Sequence, residues 1–290
     1  MDYYYQPQQV EYVRYVTVNQ KGAKNIDEVK QEVRSAYGSV AEANKQNKSC
    51  GNGRSCCGVT AKPDHEYSKE LGYTEEELNS APEGCNMGLG CGNPQAIASL
   101  RQGEYVLDLG AGGGFDVFLA AKKVGSSGKV FGVDMTPEML STARANAAKS
   151  DFKNVEFLLG EIEHLPLPNN AVDVIISNCV VNLSTNKAQV FKESFRVLKE
   201  GGRLAISDMV AYKPLPKEMI ENSELYCNCI SGAITIEELK KVLTNTGFVD
   251  IVIEPQEKSQ MFIKDWVPGS DAENYVVSAK IKAVKPKEKT

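Results

Sequence analysis

The cysteines are the residues of this chain whose type and spacing could most clearly do chemistry. There are eight in 290 residues, which is many for a protein of a reducing compartment. Disulfide frameworks are typical of small secreted domains, whereas this chain is long and begins with MDYYYQPQQVEYVRY, which has no apolar leader segment. We therefore expect a cytoplasmic protein whose thiols bind metals, do redox chemistry or are buried as small apolar groups. The eight are Cys50, Cys56, Cys57, Cys85, Cys91, Cys179, Cys227 and Cys229.

The sequence around several of these thiols places them on loops. Cys179 ends the apolar run AVDVIISNC, which predicts a buried strand that stops at Asn178. Because ligands lie beyond the carboxyl ends of parallel strands, these two residues should face a ligand. Cys91 lies in the glycine-lined segment GLGCGNP, Cys229 lies in CNCISGA, and two further cysteines lie in SCCG. A single cysteine of this kind could be a small buried residue, but thiols on three loops are better suited to bind a ligand.

Composition argues against several classes of function. The net charge is −5, and phosphate backbones are bound by clustered Lys and Arg, so we expect no nucleic-acid partner. No apolar run approaches the roughly 18 residues that span a bilayer, so we expect no membrane segment. The chain has only two histidines, His65 and His164, which argues against Ser-His-Asp or zinc–histidine chemistry.

From Tyr105 onward, short apolar segments alternate with amphipathic ones, and this alternation predicts the elements that position the thiols. The segments EYVLDLG, GKVFGVD, NVEFLLG, VDVIISN and RLAISDMV predict strands. Together with the helical segments they indicate an α/β fold with a doubly wound, mostly parallel sheet. We expect the helix KAQVFKESFRVLKEGG to close at Gly201, and the helix NIDEVKQEVRSAYGSVAEAN to begin after the cap Asn25. The predicted parts are an N-terminal helical, cysteine-rich segment (1–95), a cofactor-binding core (96–210), and a C-terminal cap with the final strands (211–290).

The segment VLDLGAGGGFD predicts a nucleotide-type cofactor site after the first of these strands. Its glycines allow a tight turn and the close approach of a ligand to the backbone. Asp134 ends the next strand, where a carboxylate can accept hydrogen bonds from both ribose hydroxyls of an adenine nucleoside. NAD enzymes favour G-x-G-x-x-G, whereas here Asp108 precedes a G-x-G-x-G run that begins at Gly110 and includes Gly112. This run resembles motif I of class I S-adenosylmethionine-dependent methyltransferases; a glycine-rich turn without a ligand is the alternative.

Five further segments resemble one family of these enzymes. GCGNP, DMTPEML, EIEHLPLPNNAVDVIISNCVVNLS, VLKEGGRLAISD and CISGA together resemble arsenite methyltransferases over most of residues 81–248. The resemblance implies a Rossmann-like class I methyltransferase fold with S-adenosylmethionine as cofactor. It implies methylation of trivalent arsenic, supplied as arsenite or as thiol conjugates, for detoxification. The family often has a tyrosine two residues before the GCG cysteine, where this chain has Leu89, and Cys50, Cys85 and Cys227 are additional.

The resemblance also assigns roles to individual residues. Cys179 and Cys229 match the arsenic-binding pair of the family, and Cys91 matches the cysteine of its GCG segment, which makes these three the candidate arsenic(III) ligands. Either Cys56 or Cys57 matches the N-terminal cysteine, and Cys57 is our candidate catalytic partner of Cys91. The candidate cofactor-binding residues are Asp108, Gly110, Gly112, Asp134, Met135, Glu161, Ile162 and Asn178, with Glu161 and Ile162 beside the adenine.

Thiols suit the chemistry that the resemblance implies. Trivalent arsenic is soft and thiophilic, and thiolates are the soft ligands that proteins possess. Three sulfur ligands leave a lone pair on arsenic that can accept a methyl group without a general base. Two electrons must then return arsenic to the trivalent state, and we expect the Cys57–Cys91 pair to give them. Glutathione or a thioredoxin-like reductant would then reduce that pair again by thiol–disulfide exchange. We expect the protein to be a monomer.

Two other functions stay open on the sequence alone. A methyltransferase for a small organic carbon or oxygen nucleophile would keep the fold and the cofactor and make the cysteines incidental. A structural zinc site or a metal sensor is the other, although four-cysteine zinc sites usually show close C-x-x-C pairs, and here C-x5-C and C-x-C occur instead.

Overall fold

A computed structural model describes residues 25–45 and 64–288 of the chain. Within them, seven strands form one sheet that eleven α-helices accompany. The strands are β1 (Tyr105–Leu109), β2 (Lys129–Asp134), β3 (Val155–Leu159), β4 (Val172–Asn178), β5 (Leu198–Ala211), β6 (Val249–Pro255) and β7 (Val276–Val284). The helices are α1 (Ile26–Lys45), α2 (Asp64–Glu70), α3 (Glu75–Ser80), α4 (Gln95–Ala98), α5 (Phe115–Val124), α6 (Pro137–Lys149), α7 (Lys187–Val197), α8 (Lys217–Ile220), α9 (Ser223–Cys227), α10 (Ile236–Thr246) and α11 (Gln260–Trp266).

The order of the strands creates a crevice at one edge of the sheet. It is β3-β2-β1-β4-β5-β7-β6, with β1 to β5 parallel and β7 antiparallel to both β5 and β6. The chain runs outward from β1 to β3 and then returns to the other side of β1 as β4. A ligand crevice forms outside the carboxyl ends of strands at such a reversal. The predicted α/β class with a mostly parallel sheet is confirmed.

Local sequence signals place the start of several helices. Asn25 precedes α1, and its Oδ1 accepts a hydrogen bond from the Glu28 N–H over 2.8 Å. Thr74 caps α3 in a reciprocal capping box with Glu77. Pro137 occupies the first position of α6. A backbone N–H at that position would have no partner within the helix, so the missing N–H of proline costs no hydrogen bond. These starts agree with the sequence because capping needs only neighbouring residues.

One predicted helix boundary is wrong. Helix α7 ends at Val197 and not at Gly201, because the residues from Leu198 onward already belong to β5. Leu198 is paired with β4, and the Gly201 N–H donates a hydrogen bond to the Lys285 carbonyl over 2.9 Å. Pairing with two neighbouring chain segments thus overrides the helical pattern of this stretch.

The sheet buries apolar side chains on both faces. Along β4, Ile175 packs with residues of α7 and α10, whereas Val174 and Ile176 pack with residues of α5 on the opposite face. This alternation follows from the two-residue period of a strand. With helices on both faces, the central strands are apolar throughout, as parallel strands of this class are.

The segment between β5 and α10 contributes helices α8 and α9, and the two strands after α10 complete the same sheet as β1 to β5. The division of the chain into three parts stays a prediction. No helix among residues 25–45 and 64–288 is long and apolar enough to cross a membrane.

Truncating a side chain at the centre of the sheet should destabilise the protein much more than the same change at its edge. Leu107 of β1 is fully buried, whereas Leu159 of β3 is 55% exposed. We expect Leu107→Ala to lower the free energy of unfolding by about 2–5 kcal/mol, because it leaves a cavity. Leu159→Ala, the matched control, should change it by under about 1 kcal/mol. Urea unfolding of both variants measures the difference, and equal losses would contradict this packing.

Candidate active site

Three cysteines from separate segments converge beyond the carboxyl end of β4. Cys179 directly follows β4, Cys91 lies in the loop before α4, and Cys229 follows α9. The Sγ atoms of Cys91 and Cys179 lie within 4.8 Å of each other and of a carboxylate oxygen of Asp208. The Cys229 thiol donates a hydrogen bond to the Cys179 carbonyl oxygen over 2.7 Å. All three are free thiols with exposed fractions of 2 to 4%; together they are called the thiol cluster below.

The turn that carries Cys179 is held by a buried carboxylate. Cys179 has φ 59°, a left-handed conformation that costs a non-glycine residue about 1–2 kcal/mol. Its N–H donates to the Ser207 carbonyl over 2.8 Å. Next in the chain, the N–H groups of Val181 and Asn182 donate to Asp208 Oδ2 over 2.8 and 3.4 Å, and the Asn182 side-chain amide donates to Oδ1 over 2.9 Å. These bonds fix the strained turn to β5.

The segment after α9 packs directly on that turn and positions Cys229. Cys229 is also left-handed, with φ 60°. The Tyr226 hydroxyl donates to the Leu183 carbonyl over 2.9 Å. Gly232 lies against the Asn182 carbonyl so closely that a Cβ atom would collide with it. The glycine of CISGA is therefore what allows this segment to close over the thiol cluster.

The Cys91 loop is clamped onto β4 by the side chain of Asn178. Asn178 Oδ1 accepts from the Cys91 N–H over 3.0 Å, and its Nδ2 donates to the Gly92 carbonyl over 2.8 Å. The Ser278 hydroxyl of β7 donates to the Cys91 carbonyl over 2.7 Å. Gly90 has no room for a Cβ atom beside the Asn178 amide. One asparagine and two glycines thereby bring Cys91 to Cys179.

Burial keeps two members of the thiol cluster, Cys91 and Cys179, protonated in the absence of a ligand. It raises the pKa of Cys91, and it raises that of Cys179 well above the ordinary value, where hydrogen bonds to the other two thiols act in the same direction. Burial also raises the pKa of Asp208 to about 6, against the stabilising backbone N–H groups around it. Four N–H groups donate to the two oxygens of this carboxylate, which suits its ionised form, and it lies beside the neutral thiols of Cys91 and Cys179.

A cleft beside the thiol cluster suits a cationic cofactor. It is lined by the glycine loop after β1, by the ends of β2 and β4, and by Cys179 itself. Asp108, Asp116 and Asp134 contribute three buried carboxyl groups, and burial raises the pKa of each, that of Asp116 to about 6. A bound sulfonium and ammonium group would favour the ionised forms of these carboxyl groups, whereas a bound pyrophosphate would disfavour them. The residues present therefore fit S-adenosylmethionine better than NAD.

Seven of the eight predicted cofactor residues line this cleft, and Glu161 is not among them. The Glu161 carboxylate pairs instead with Lys30 Nζ over 2.6 Å and with Arg34 Nη2 over 2.5 Å, which ties α1 to the loop after β3. The two Asp134 oxygens accept from the N–H groups of Gly112 and Thr136 over 2.9 and 2.8 Å. The roles of these residues in cofactor binding stay predictions. The seven that line the cleft are Asp108, Gly110, Gly112, Asp134, Met135, Ile162 and Asn178.

The other five cysteines are not members of the thiol cluster, and three of them lie outside the described residues. Those three are Cys50, Cys56 and Cys57, so the predicted Cys57–Cys91 pair stays a prediction. Cys85 is buried in the wall of the cleft among other apolar residues, and burial raises its pKa to about 12. Cys227 is buried in the apolar group that includes the thiol cluster.

Comparisons with known proteins show which proteins this chain resembles over most of its length. A methyltransferase-domain family model matches residues 100–247. An arsenite methyltransferase from Halobacterium salinarum is 45% identical over 91% of this chain and 68% of its own length. One from Aquipseudomonas alcaligenes is 36% identical over 75% of this chain, which spans 61% of that protein, less than two thirds. The chain belongs to the arsenite methyltransferase family.

A solved structure gives the same result at the level of the fold. The crystal structure of CrArsM, an arsenic(III) S-adenosylmethionine methyltransferase from Chlamydomonas reinhardtii, superimposes with a TM-score of 0.57 at 33% identity. The match covers 78% of this chain and 74% of that one. S-adenosylmethionine as the cofactor follows from the family, and the acidic cleft explains in physical terms why a positively charged cofactor fits.

Sequence reasoning missed three contributions to this arsenite methyltransferase site. It assigned Asn178 to the cofactor and missed the amide clamp on Cys91. It passed over Asp208, although a polar residue at the end of β5 faces the same edge as the end of β4. It gave no role to Lys30 and Arg34, which are separated from Glu161 by more than 120 residues and leave no local signal.

Adding a methyl group at Gly110 should disrupt cofactor binding. Gly110 has φ 72°, and a Cβ there would collide with Val180 in the turn after Cys179. We expect Gly110→Ala to weaken S-adenosylmethionine binding by at least about tenfold. Gly72→Ala, with φ 96° but open space around the added atom, is the control for backbone strain alone and should retain normal affinity. Calorimetric titration with S-adenosylmethionine distinguishes the two, and normal affinity in Gly110→Ala would refute the assignment of this loop.

Proposed function

We propose that this chain transfers a methyl group from S-adenosylmethionine to trivalent arsenic held by Cys91, Cys179 and Cys229. The observation that carries the proposal is that one residue, Cys179, belongs to both the thiol cluster and the wall of the cofactor cleft. Arsenic bound to the Cys179 sulfur would therefore lie between the thiol cluster and the cofactor cleft, where the methyl group of the cofactor can reach it.

The protein's contribution to the reaction is placement. When bound, S-adenosylmethionine supplies a methyl group on a positively charged sulfur. Three sulfur ligands would occupy three directions around arsenic and leave its lone pair as the nucleophile, so no side chain has to remove a proton. Holding two reactants in line can contribute several kcal/mol to lowering the barrier. The Asn178 clamp and the Asp208-anchored turn are the contacts that would fix this alignment.

Binding of arsenite to the thiol cluster should neither release nor take up protons near neutral pH. Neutral arsenous acid would exchange three hydroxyl groups for three thiols, and each thiol proton would leave with a hydroxyl as water. This balance holds because burial keeps Cys91 and Cys179 protonated beforehand. Titration calorimetry in buffers of different ionisation enthalpy should give the same binding enthalpy. Heats that scale with the buffer, as proton uptake by preformed thiolates would produce, would contradict the protonation state.

The return of arsenic to the trivalent state is the second half of the proposed cycle. After accepting a methyl group, arsenic is formally oxidised by two electrons. Two thiols can give those electrons and become a disulfide, which glutathione or a thioredoxin-like dithiol would reduce again. Cys57 with Cys91 remains our proposed pair. The supply of arsenic as a thiol conjugate, the role in detoxification, a cytoplasmic location and a monomeric state belong to the same proposal.

Replacing a single cluster thiol should remove the activity and spare the cofactor site. We expect Cys179→Ser to lower arsenite methylation by at least about a thousandfold, because a hydroxyl is a hard and weak ligand for arsenic. Cys85→Ser is the matched control, since Cys85 is buried in the wall of the cofactor cleft but does not belong to the thiol cluster. It should keep most of the arsenite methylation. Labelled methyl transfer to arsenic, with S-adenosylmethionine affinity measured in parallel, checks both.

The same experiment separates this function from its rival. If wild-type protein binds S-adenosylmethionine but never labels arsenic, a small organic carbon or oxygen nucleophile becomes the better substrate. If Cys179→Ser retains arsenite methylation, the thiol cluster is not the arsenic site.

A further inference from the structure

The thiol cluster lies beside a buried carboxylate, that of Asp208. A carboxylate oxygen of Asp208 lies within 4.8 Å of the Sγ atoms of both Cys91 and Cys179. Asp208 is itself buried, with an exposed fraction of 2%. At this depth a full negative charge acts on the ligand atoms with little screening by solvent.

Asp208 is poorly disposed to act as a ligand itself, because its lone pairs are already in use. Oδ1 accepts from the Met209 N–H over 2.7 Å and from the Asn182 amide over 2.9 Å. Oδ2 accepts from the N–H groups of Val181 and Asn182 over 2.8 and 3.4 Å. The two oxygens of a carboxylate can accept about four hydrogen bonds in total, and all four are accounted for here. Its remaining influence on a bound ion is therefore the field of its charge.

The other charged groups near the thiol cluster do not cancel that field. The positive charge of Lys187 interacts with Asp208, with Cys229 and with Glu163, which is a second buried carboxylate. Lys187 Nζ donates to the Ser184 carbonyl over 3.1 Å and so stays beside the turn. Lys30 lies 3.9 Å from Glu163 but makes its closer pair, at 2.6 Å, with Glu161. The hydroxyls of Tyr67 and Tyr226 are neutral.

We propose that Asp208 makes the thiol cluster selective for trivalent metalloids over divalent thiophilic cations such as Cd²⁺ and Zn²⁺. Three thiolates around a trivalent centre form a neutral complex, which a buried site next to a carboxylate accepts. The same three thiolates around a divalent cation carry one net negative charge, which Asp208 repels. A divalent complex with two thiolates would be neutral but would lack the third strong ligand. The inference deepens the proposed function and rests on it for the three arsenic ligands.

Two substitutions of opposite sign test the proposal. Asp208→Asn removes the negative charge and should raise the ratio of Cd²⁺ affinity to arsenite affinity on the order of 100-fold, as expected for unit charges about 5 Å apart at an effective dielectric constant of about 20. The ratio is the readout because the substitution also loses N–H hydrogen bonds that anchor the Cys179 turn, which weakens binding of both ions alike. Lys187→Met removes the positive charge and should lower the affinity for Cd²⁺ by about tenfold, whereas arsenite affinity should change by less than about threefold because the arsenite complex is neutral. Asp265→Asn, which removes an exposed surface charge, should change neither.

Binding can be measured without turnover. Cd²⁺ affinity follows from the thiolate-to-metal absorbance in competition with a chelator of known strength. Arsenite affinity follows from the fluorescence of Trp266, the single tryptophan of the chain, which packs in the same apolar group as the thiol cluster. Both measurements use the full-length protein and leave the methyl-transfer assay as an independent readout.

Each outcome decides the matter. A fall in the ratio of Cd²⁺ affinity to arsenite affinity in Asp208→Asn would show that the carboxylate is a fourth ligand for the divalent cation and would overturn the proposal, as would an unchanged ratio. If Asp208→Asn fails to fold, Lys187→Met decides alone: a loss confined to Cd²⁺ supports the proposal, and no loss, or an equal loss for arsenite, overturns it. Absence of arsenite binding to the wild-type protein would instead refute the proposed function, and is seen directly in the fluorescence titration.

Discussion

The chemistry of this protein requires three thiols that are distant in the chain to stay together, buried and with strained backbones, beyond the carboxyl end of β4. Two of them, Cys179 and Cys229, have left-handed backbones, which are unfavourable for residues with a side chain. The structure holds them there through Asp208, through the tight contact at Gly232, and through the hydrogen bond from Cys229 to the Cys179 carbonyl. Strain of this kind persists only where the surroundings determine it.

The edge of the sheet thus combines two electrostatic environments that serve different partners. On the side of the cleft, buried carboxyl groups of the glycine loop region favour a positively charged cofactor. On the side of the thiol cluster, protonated thiols can exchange their protons for a trivalent metalloid without building up charge. The end of β4 joins the two: Asn178 clamps the Cys91 loop and Cys179 lines the cleft. Helix α1 adds a cover, since Lys30 and Arg34 bind Glu161 beside that cleft.

The sequence predicted the parts of this structure that local patterns encode. Alternating strands and helices indicated the mostly parallel sheet, and the capping residue Asn25 placed the start of α1. The end of β4 at Asn178 was predictable because an apolar strand ends there, and the convergence of Cys91, Cys179 and Cys229 followed from family resemblance.

Other features needed the tertiary structure. The end of α7 was misplaced because pairing of Leu198 with β4 overrides a helical pattern. The amide clamp of Asn178, the anchoring by Asp208 and the ion pairs of Lys30 with the loop after β3 all join residues distant in sequence, so that no local spacing reveals them. The strand order too depends on long-range pairing, which is why the sequence indicated a parallel sheet without its order.

X-ray absorption at the arsenic edge of the protein loaded with one equivalent of arsenite counts the sulfur atoms bound to arsenic. Joint binding by the three thiols predicts three sulfur ligands and no oxygen, and the replacement of one sulfur by oxygen in Cys91→Ser. A shell of two sulfurs and one oxygen in the wild-type protein, or a spectrum that Cys91→Ser leaves unchanged, would show that the three thiols do not act together.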